Sequence, residues 1–181
     1  MQDTNAWIDL WRELALLLRR PADESRPAAD PWQERASRFD ASTRRREQGD
    51  PLLDSLIQMV NPADTLLDIG AGTGRWAVPL AGVVKSVTAL DASPAMLDIL
   101  KSNADAADAT NVAVLQGDWG SVEVAPHDVA LSSHAMYTHP DLPAFIRKME
   151  RAALRTCVLA MRVPSHDGII GQLSHRIHGQ W

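Results

Sequence analysis

The sequence holds one cysteine, Cys157, in 181 residues. A single thiol closes no disulfide and builds no thiolate metal cluster, which excludes stapled extracellular scaffolds and favours a reducing compartment. Long apolar runs are missing too. Nowhere do 18 apolar residues follow one another, and Met1 to Arg20 shows no cationic stretch leading into an apolar one, so no membrane partner is expected and a cytoplasmic location is. Aromatic residues are scarce at 5% by the tyrosine, tryptophan and phenylalanine count, with a single tyrosine and two phenylalanines. Cations are scarce in the middle of the chain: residues 51–146 carry 11 carboxylates against Arg75, Lys85 and Lys101. Because phosphate contacts dominate nucleic-acid affinity, this acidic stretch predicts a small or cationic ligand and no nucleic-acid partner. The basic triplet Arg44, Arg45 and Arg46 reads as the solvated end of a helix. His166, His175 and His178 lack carboxylate or cysteine companions at ligand spacing, so no metal is expected.

What is present suffices for a core. A chain of 19.8 kDa, 45% hydrophobic, buries roughly 70% of its unfolded surface without staples. Trp7, Leu10, Trp11, Leu14, Leu17 and Leu18 recur at helical spacing, and three prolines between Pro21 and Pro31 mark a linker. A second helix is predicted from near Trp32 to before Gly49, with Ala36 and Phe39 on one face. A third begins at once, with Asp50 as N-cap, Pro51 in the first turn, and Leu52, Leu53, Leu56, Ile57 and Val60 as its apolar stripe.

Beyond Asn61 and Pro62 the period changes. Strands are expected at 65–69, 86–90, 111–115, 128–133 and 156–163, and helices at about 74–82, 93–103 and 142–153. Runs such as TCVLAMRV lack apolar/polar alternation and so predict a parallel sheet covered on both faces. The fold expected is α/β: a doubly wound, Rossmann-like, mostly parallel sheet flanked by helices, with an N-terminal helical extension. The division expected is 1–60, helices and lid, and 61–181, the ligand-binding domain.

The segment LLDIGAGTGRWAVPLA, from Leu66 to Ala81, runs from a strand through Gly70, Gly72 and Gly74 into a helix. Glycines there let a ligand approach the main chain closely. In the register Gly72, Gly74, Ala77 the run satisfies the dinucleotide fingerprint, which leaves an NAD(P)-dependent oxidoreductase as an alternative. Asp68 opposes it. A carboxylate at the strand end repels a pyrophosphate and favours a ligand bearing an ammonium and a sulfonium. With D-x-G-x-G-x-G in place, the sequence from Leu66 to Val163 resembles the class I S-adenosylmethionine-dependent methyltransferases.

The resemblance implies S-adenosylmethionine as cofactor and a set of residues around it. Asp68, Gly70, Ala71, Gly72 and Gly74 supply the methionine end. Asp91, with Ala92, closes the second strand and accepts the ribose hydroxyls. Ser93 and Pro94 start the following helix, in which Met96 packs on the adenine or simply in the core. Asp118 and the N–H of Trp119 meet the adenine edge. A segment of the form PW..RA..FD, here with Trp32, Arg35, Arg38 and Phe39, is a lid in many small-molecule methyltransferases. An arginine there or Arg75 would pair with the methionine carboxylate.

The fourth strand and its loop, DVALSSHAMYTHPDL, line the acceptor side by the same resemblance. The Asn-Pro-Pro-Tyr or Asp-Pro-Pro-Tyr signature is missing, replaced by Ser132, Ser133, His134 and Ala135, which argues against adenine-N6, cytosine-N4 and glutamine methylation. His134 and Tyr137 are the catalytic candidates and His139 a further polar neighbour; His134 could act as base or offer its carbonyl to the cofactor's ammonium. Asp128, at the far end of that strand, reads as structural. The family's sheet has seven strands, yet after the fifth this sequence offers only one more apolar stripe, Ile169, Ile170, Leu173 and Ile177. Strands six and seven are therefore expected to be missing and the fifth to be an exposed edge that forms a homodimer or leaves an unstable monomer. Methyl transfer to a small-molecule acceptor is the leading expectation, and a non-catalytic cofactor-binding module the third alternative.

Overall fold

The computed structural model describes residues 4–18, 30–44 and 49–161. Three helices come first: α1 (Thr4–Leu18), α2 (Ala36–Arg44) and α3 (Pro51–Met59). The remainder alternates β1 (Thr65–Ile69), α4 (Ala77–Ala81), β2 (Ser86–Asp91), α5 (Pro94–Ala106), β3 (Val112–Gln116), β4 (His127–Ser133), a 3₁₀ turn at Met136–Thr138, α6 (Leu142–Ala152) and β5 (Ala153–Ala160). All strand pairs are parallel, in the order β3-β2-β1-β4-β5.

The elements start where capping chemistry puts them. Asp50 accepts from Leu52 N–H, Ser93 from Met96 N–H and Asp141 from Ala144 N–H, each with a proline in the first turn. Such side chains satisfy the donors a helix leaves open at its start, and proline has no N–H to lose there. Alternation along β1 then divides the core. Leu66 packs with Leu80, Leu97, Leu100 and Leu131 on the α4 and α5 side, whereas Leu67 and Ile69 pack with Phe145 and Met149 of α6. Asp68 shares the parity of Leu66, which turns it inward on the α4 side beneath the glycine loop. The chain reverses its sheet order between β1 and β4, so the crevice at a topological switch point opens above their carboxyl ends.

Several boundaries differ from expectation. Helix α2 begins at Ala36, because residues 31–35 form turns anchored by Asp30, and Trp32 precedes the helix. Helix α4 is shorter than 74–82, since positive φ angles at Gly72 and Gly74 keep the chain out of the helix until Ala77. Ile57 is exposed, and Leu56 is the side chain α3 buries fully. Strand β5 starts at Ala153, three residues before the apolar run, with no loop after α6. Ala153 and Leu154 read equally as the end of the α6 pattern, so no turn signal marks the start of the strand; Leu154 and Arg155 are exposed there, as is Cys157. Residues 21–29 of the linker predicted from Pro21 to Pro31, the Arg45–Arg46 pair and the stripe at 169–177 lie outside the described residues, as do the last residues predicted for the fifth strand. Among the described residues β5 is an edge of a five-stranded sheet, and no helix is long and apolar enough to cross a membrane.

Candidate cofactor and acceptor site

The glycine loop is held by β2. Gly70 N–H and Ala71 N–H both donate to Leu90 O, at 2.8 and 2.9 Å. Gly70 has φ +75°, and a Cβ there would come within 2.2 Å of Ala135 Cβ, so only glycine lets this loop press against the one after β4. Gly72, at φ +56°, lies under Phe39, whose Cε1 would sit 3.8 Å from an added Cβ.

Asp68 is 1% exposed, and neither carboxylate oxygen closes a hydrogen bond. Burial first, and then the charge of Asp91, push its pKa up to about 7, while the Ala77 N–H pulls the other way without reaching hydrogen-bond geometry. A buried carboxylate without donors is costly, and an ammonium removes that cost by supplying both charge and donors. The orphaned oxygens under a loop that presents bare main chain therefore fit the amino-acid end of S-adenosylmethionine and oppose a pyrophosphate.

Asp91 is committed to backbone on both oxygens: Oδ2 accepts from Gly72 N–H at 2.8 Å and Oδ1 from Ser93 N–H at 2.9 Å. Burial raises its pKa, those two N–H groups offset part of the rise, and the nearby Asp30 adds to it. Each oxygen retains a lone pair for a ribose hydroxyl. Met96 is buried, Asp118 is exposed with Oδ1 accepting from Gly120 N–H, and Trp119 is buried with its indole donating to Phe145 O. Asp68 lies near the end of β1, Asp91 ends β2 and Asp118 follows β3, so the three carboxylates stand at the carboxyl ends of three adjacent parallel strands.

Sequence reading missed Asp30. Its Oδ2 accepts from Ser93 Oγ at 2.7 Å and from Ala95 N–H at 3.1 Å, so a residue 63 positions upstream completes the cap of α5. Burial works to raise the Asp30 pKa, but these donors and the Trp32 N–H outweigh it and hold the carboxyl below its usual range. The segment that follows lies against the same region: Phe39 packs edge-on to Trp32, and Asn103 donates to Asp40 Oδ1 and to Thr73 O. Arg75 faces elsewhere. Its guanidinium bonds Asp50 Oδ2 at 2.5 Å, on a cavity of about 570 Å³ between α3, α4 and the end of α5. Thr73 and Gly74 of the glycine loop line that cavity, whereas Asp68, Asp91 and Asp118 do not, and Arg75 is paired there with Asp50.

On the acceptor side, His134 leaves β4 at φ +59°, a conformation costly for a residue with a Cβ. Its N–H donates to Ala160 O, and its Nδ1 lies 2.8 Å from Tyr137 Oη with the rings stacked. Trp11 of α1 donates its indole N–H to His139 O at 2.9 Å and packs toward Tyr137. No local signal in the sequence links α1 to this loop; only the residue type, a tryptophan on an amphipathic helix, hints that one polar partner is needed. Asp128 is structural as expected, bonding Thr65 N–H and Oγ at the opposite end of the strand.

Residues 66–155 match the family described as "Methyltransferase domain". "Probable ribosomal RNA small subunit methyltransferase A" of Methanosarcina mazei is 35% identical over 74 residues, covering 41% of this chain and 27% of that protein. The chain spans about a quarter of the length of the curated relatives it matches. Among solved structures, magnesium protoporphyrin IX methyltransferase from Synechocystis PCC 6803, with bound SAH, aligns at TM-score 0.62 and 18% identity, over 82% of this chain and 75% of that one. A dimethyladenosine transferase from Plasmodium falciparum aligns at TM-score 0.53 and 24% identity, over 61% and 41%. Both likenesses establish the fold.

One expectation is corrected by these relatives. The exclusion of nucleic-acid partners does not hold, because the matched curated relatives are named for ribosomal RNA. The physical reason is that a segment's summed charge is not the charge of its acceptor face. The 11 carboxylates include Asp64, Asp68, Asp91 and Asp128, which are spent inside the fold on backbone, on Arg155 or beneath the loop. Between the two ligands that the glycine pattern allows, the family match and the orphaned carboxylate agree. The chain belongs to the class I S-adenosylmethionine-dependent methyltransferases, with S-adenosylmethionine as its cofactor.

Proposed function

We propose that this chain transfers the methyl group of S-adenosylmethionine to a nucleophile presented beside His134 and Tyr137. The observation that carries the reading is the buried, donor-less carboxylate of Asp68 under the glycine loop. Asp68 takes the ammonium, directly or through a water. Gly70, Ala71, Gly72 and Gly74 give the amino-acid end access to main chain, Asp91 and Ala92 take the ribose, and Asp118 with Trp119 takes the adenine edge. Residues 30–44 serve as the lid over a domain beginning near residue 61, and the lone thiol suits a cytoplasmic location.

Displacement at the methyl carbon needs alignment more than acid–base help, because the sulfonium already makes a good leaving group. When Nδ1–H donates to Tyr137 Oη, His134 keeps Nε2 as a proton acceptor for an acceptor that arrives protonated. Two acceptor classes each have an observation in their favour. Trp11 walls the face beside Tyr137, which suits an acceptor of small-molecule size; the relatives named for ribosomal RNA favour an RNA base. Calorimetry with S-adenosylhomocysteine and NADH tests the cofactor reading: the first should bind and the second should not. Tritiated methyl transfer into a cell extract, fractionated into RNA and small molecules, then decides the acceptor. Binding of NADH in place of S-adenosylhomocysteine overturns the proposal.

A further inference from the structure

The turn that follows β3 is gripped from outside by one helix. Lys148 of α6 donates Nζ to Trp119 O at 2.7 Å and to Val122 O at 2.5 Å, and its ammonium lies 4.8 Å from the Trp119 ring centroid. Phe145, one helical turn earlier, accepts the Trp119 indole N–H on its carbonyl and packs edge-on against the ring. The turn itself is closed by Asp118, whose main-chain O accepts from Ser121 and Val122 N–H and whose Oδ1 accepts from Gly120 N–H. An ammonium has three donors, and here two of them hold main-chain carbonyls of a single short turn. Among the described residues its partners are carbonyls and a ring face, with no carboxylate. A half-buried lysine used in this way fixes backbone; it does not decorate a surface.

From this geometry we infer that Lys148 is a positioning residue for the adenine end of the cofactor: it sets where the Asp118–Trp119 turn stands relative to Asp91. The inference rests on the reading in which Asp118 and Trp119 meet the adenine. Without the ammonium, the carbonyls of Trp119 and Val122 lose their charged donor, and the turn is left to the Trp119 ring contacts and the apolar packing of Val122. Neutral Lys148→Met keeps the aliphatic stem, and Lys148→Arg restores donors for both carbonyls.

The test uses the full chain and two ligands, S-adenosylhomocysteine and 5′-methylthioadenosine, which share the adenosine but differ in the amino-acid end. Lys148→Met should weaken both by the same factor, about tenfold, as expected for lost charge-assisted hydrogen bonds. Lys148→Arg should bind both within about threefold of the parent. Asp68→Asn, at the opposite end, should weaken the first ligand and spare the second. Thermal melts of each variant show that it is folded at the titration temperature. Unchanged affinities in Lys148→Met, with or without a lowered melting temperature, would reduce Lys148 to a structural residue and overturn the inference, as would failure of the arginine variant to rescue. If the unmutated protein binds neither ligand, the cofactor reading itself falls and the inference falls with it.

Discussion

The two ends of the crevice are built by different means. At the proposed cofactor end, the polar groups are buried: Asp91 holds Gly72 and Ser93 N–H, and Asp68 lies under the loop without a hydrogen-bond donor. At the proposed acceptor end, His134 is exposed, its imidazole is hydrogen-bonded to Tyr137, and the nearby wall comes from Trp11, more than a hundred residues upstream. A ligand that never changes can be met by a short loop and strand ends whose positions the sheet dictates. A ligand that differs between relatives is met by side chains on loops, which can change without disturbing the sheet.

The largest expected effect therefore lies at Asp68. Asp68→Asn should weaken S-adenosylhomocysteine about 100-fold, since it removes a buried charge facing an ammonium. Acidity gives the sharper test. The folded pKa is about 7, above the ordinary 3.8, so the folded protein retains a proton that the unfolded chain releases. The contribution of this group to stability is thus intact below about pH 4, falls as pH rises toward 7, and is level above that. The neutral variant should unfold at higher denaturant than the parent at pH 8 and lose that advantage at pH 4. Affinity should run the opposite way in the parent: binding needs the carboxylate, so it strengthens with pH up to about 7 and then levels, a dependence absent from Asp68→Asn. Denaturant unfolding at the two pH values checks the first, and titration calorimetry across pH the second.

Next comes the seam where the ends meet. Gly70→Ala places a Cβ at φ +75° and 2.2 Å from Ala135 Cβ, so the two loops must part. A cost of about 2–4 kcal/mol in urea unfolding is expected, from backbone strain together with overpacking. If the loops are coupled as the contact implies, both cofactor affinity and acceptor turnover should fall. Loss of one alone would show the two ends moving independently.

What was legible in the sequence follows the same division. Strand β1 was read to the residue, because TLLDI is bounded by a turn and by a glycine run and its residues are buried on both faces. Asp68, Asp91 and Asp118 were legible because strand ends and glycine loops are local chemistry. Strand β5 starts three residues earlier than expected because it follows α6 with no intervening turn, so Ala153 and Leu154 read as the end of the helix; Arg155 is turned to Asp64. Asp30 and Trp11 were illegible for another reason: their partners, Ser93 and His139, lie 63 and 128 positions away, beyond any periodicity or capping rule. The mistaken exclusion of nucleic acid came from summing charges that the fold later spends internally.

The smallest effects belong to the acceptor wall. Trp11→Phe keeps most of the ring but deletes the N–H that reaches His139 O, which should cost about 1 kcal/mol of stability. Tyr137→Phe removes the hydroxyl that fixes the His134 tautomer while leaving the stacked ring in place. Neither change touches the groups around Asp68 and Asp91, so S-adenosylhomocysteine should bind each variant within about twofold of the parent. Acceptor turnover should respond differently in the two. Trp11→Phe loosens the wall and should raise KM for the acceptor, whereas Tyr137→Phe should lower kcat and shift its pH profile, because Nε2 of His134 is then no longer held as the proton acceptor. Should Tyr137→Phe instead weaken the cofactor and leave turnover per bound complex unchanged, the His134–Tyr137 pair would belong to the cofactor end, and the division between a main-chain half and a side-chain half would have to be redrawn at β4.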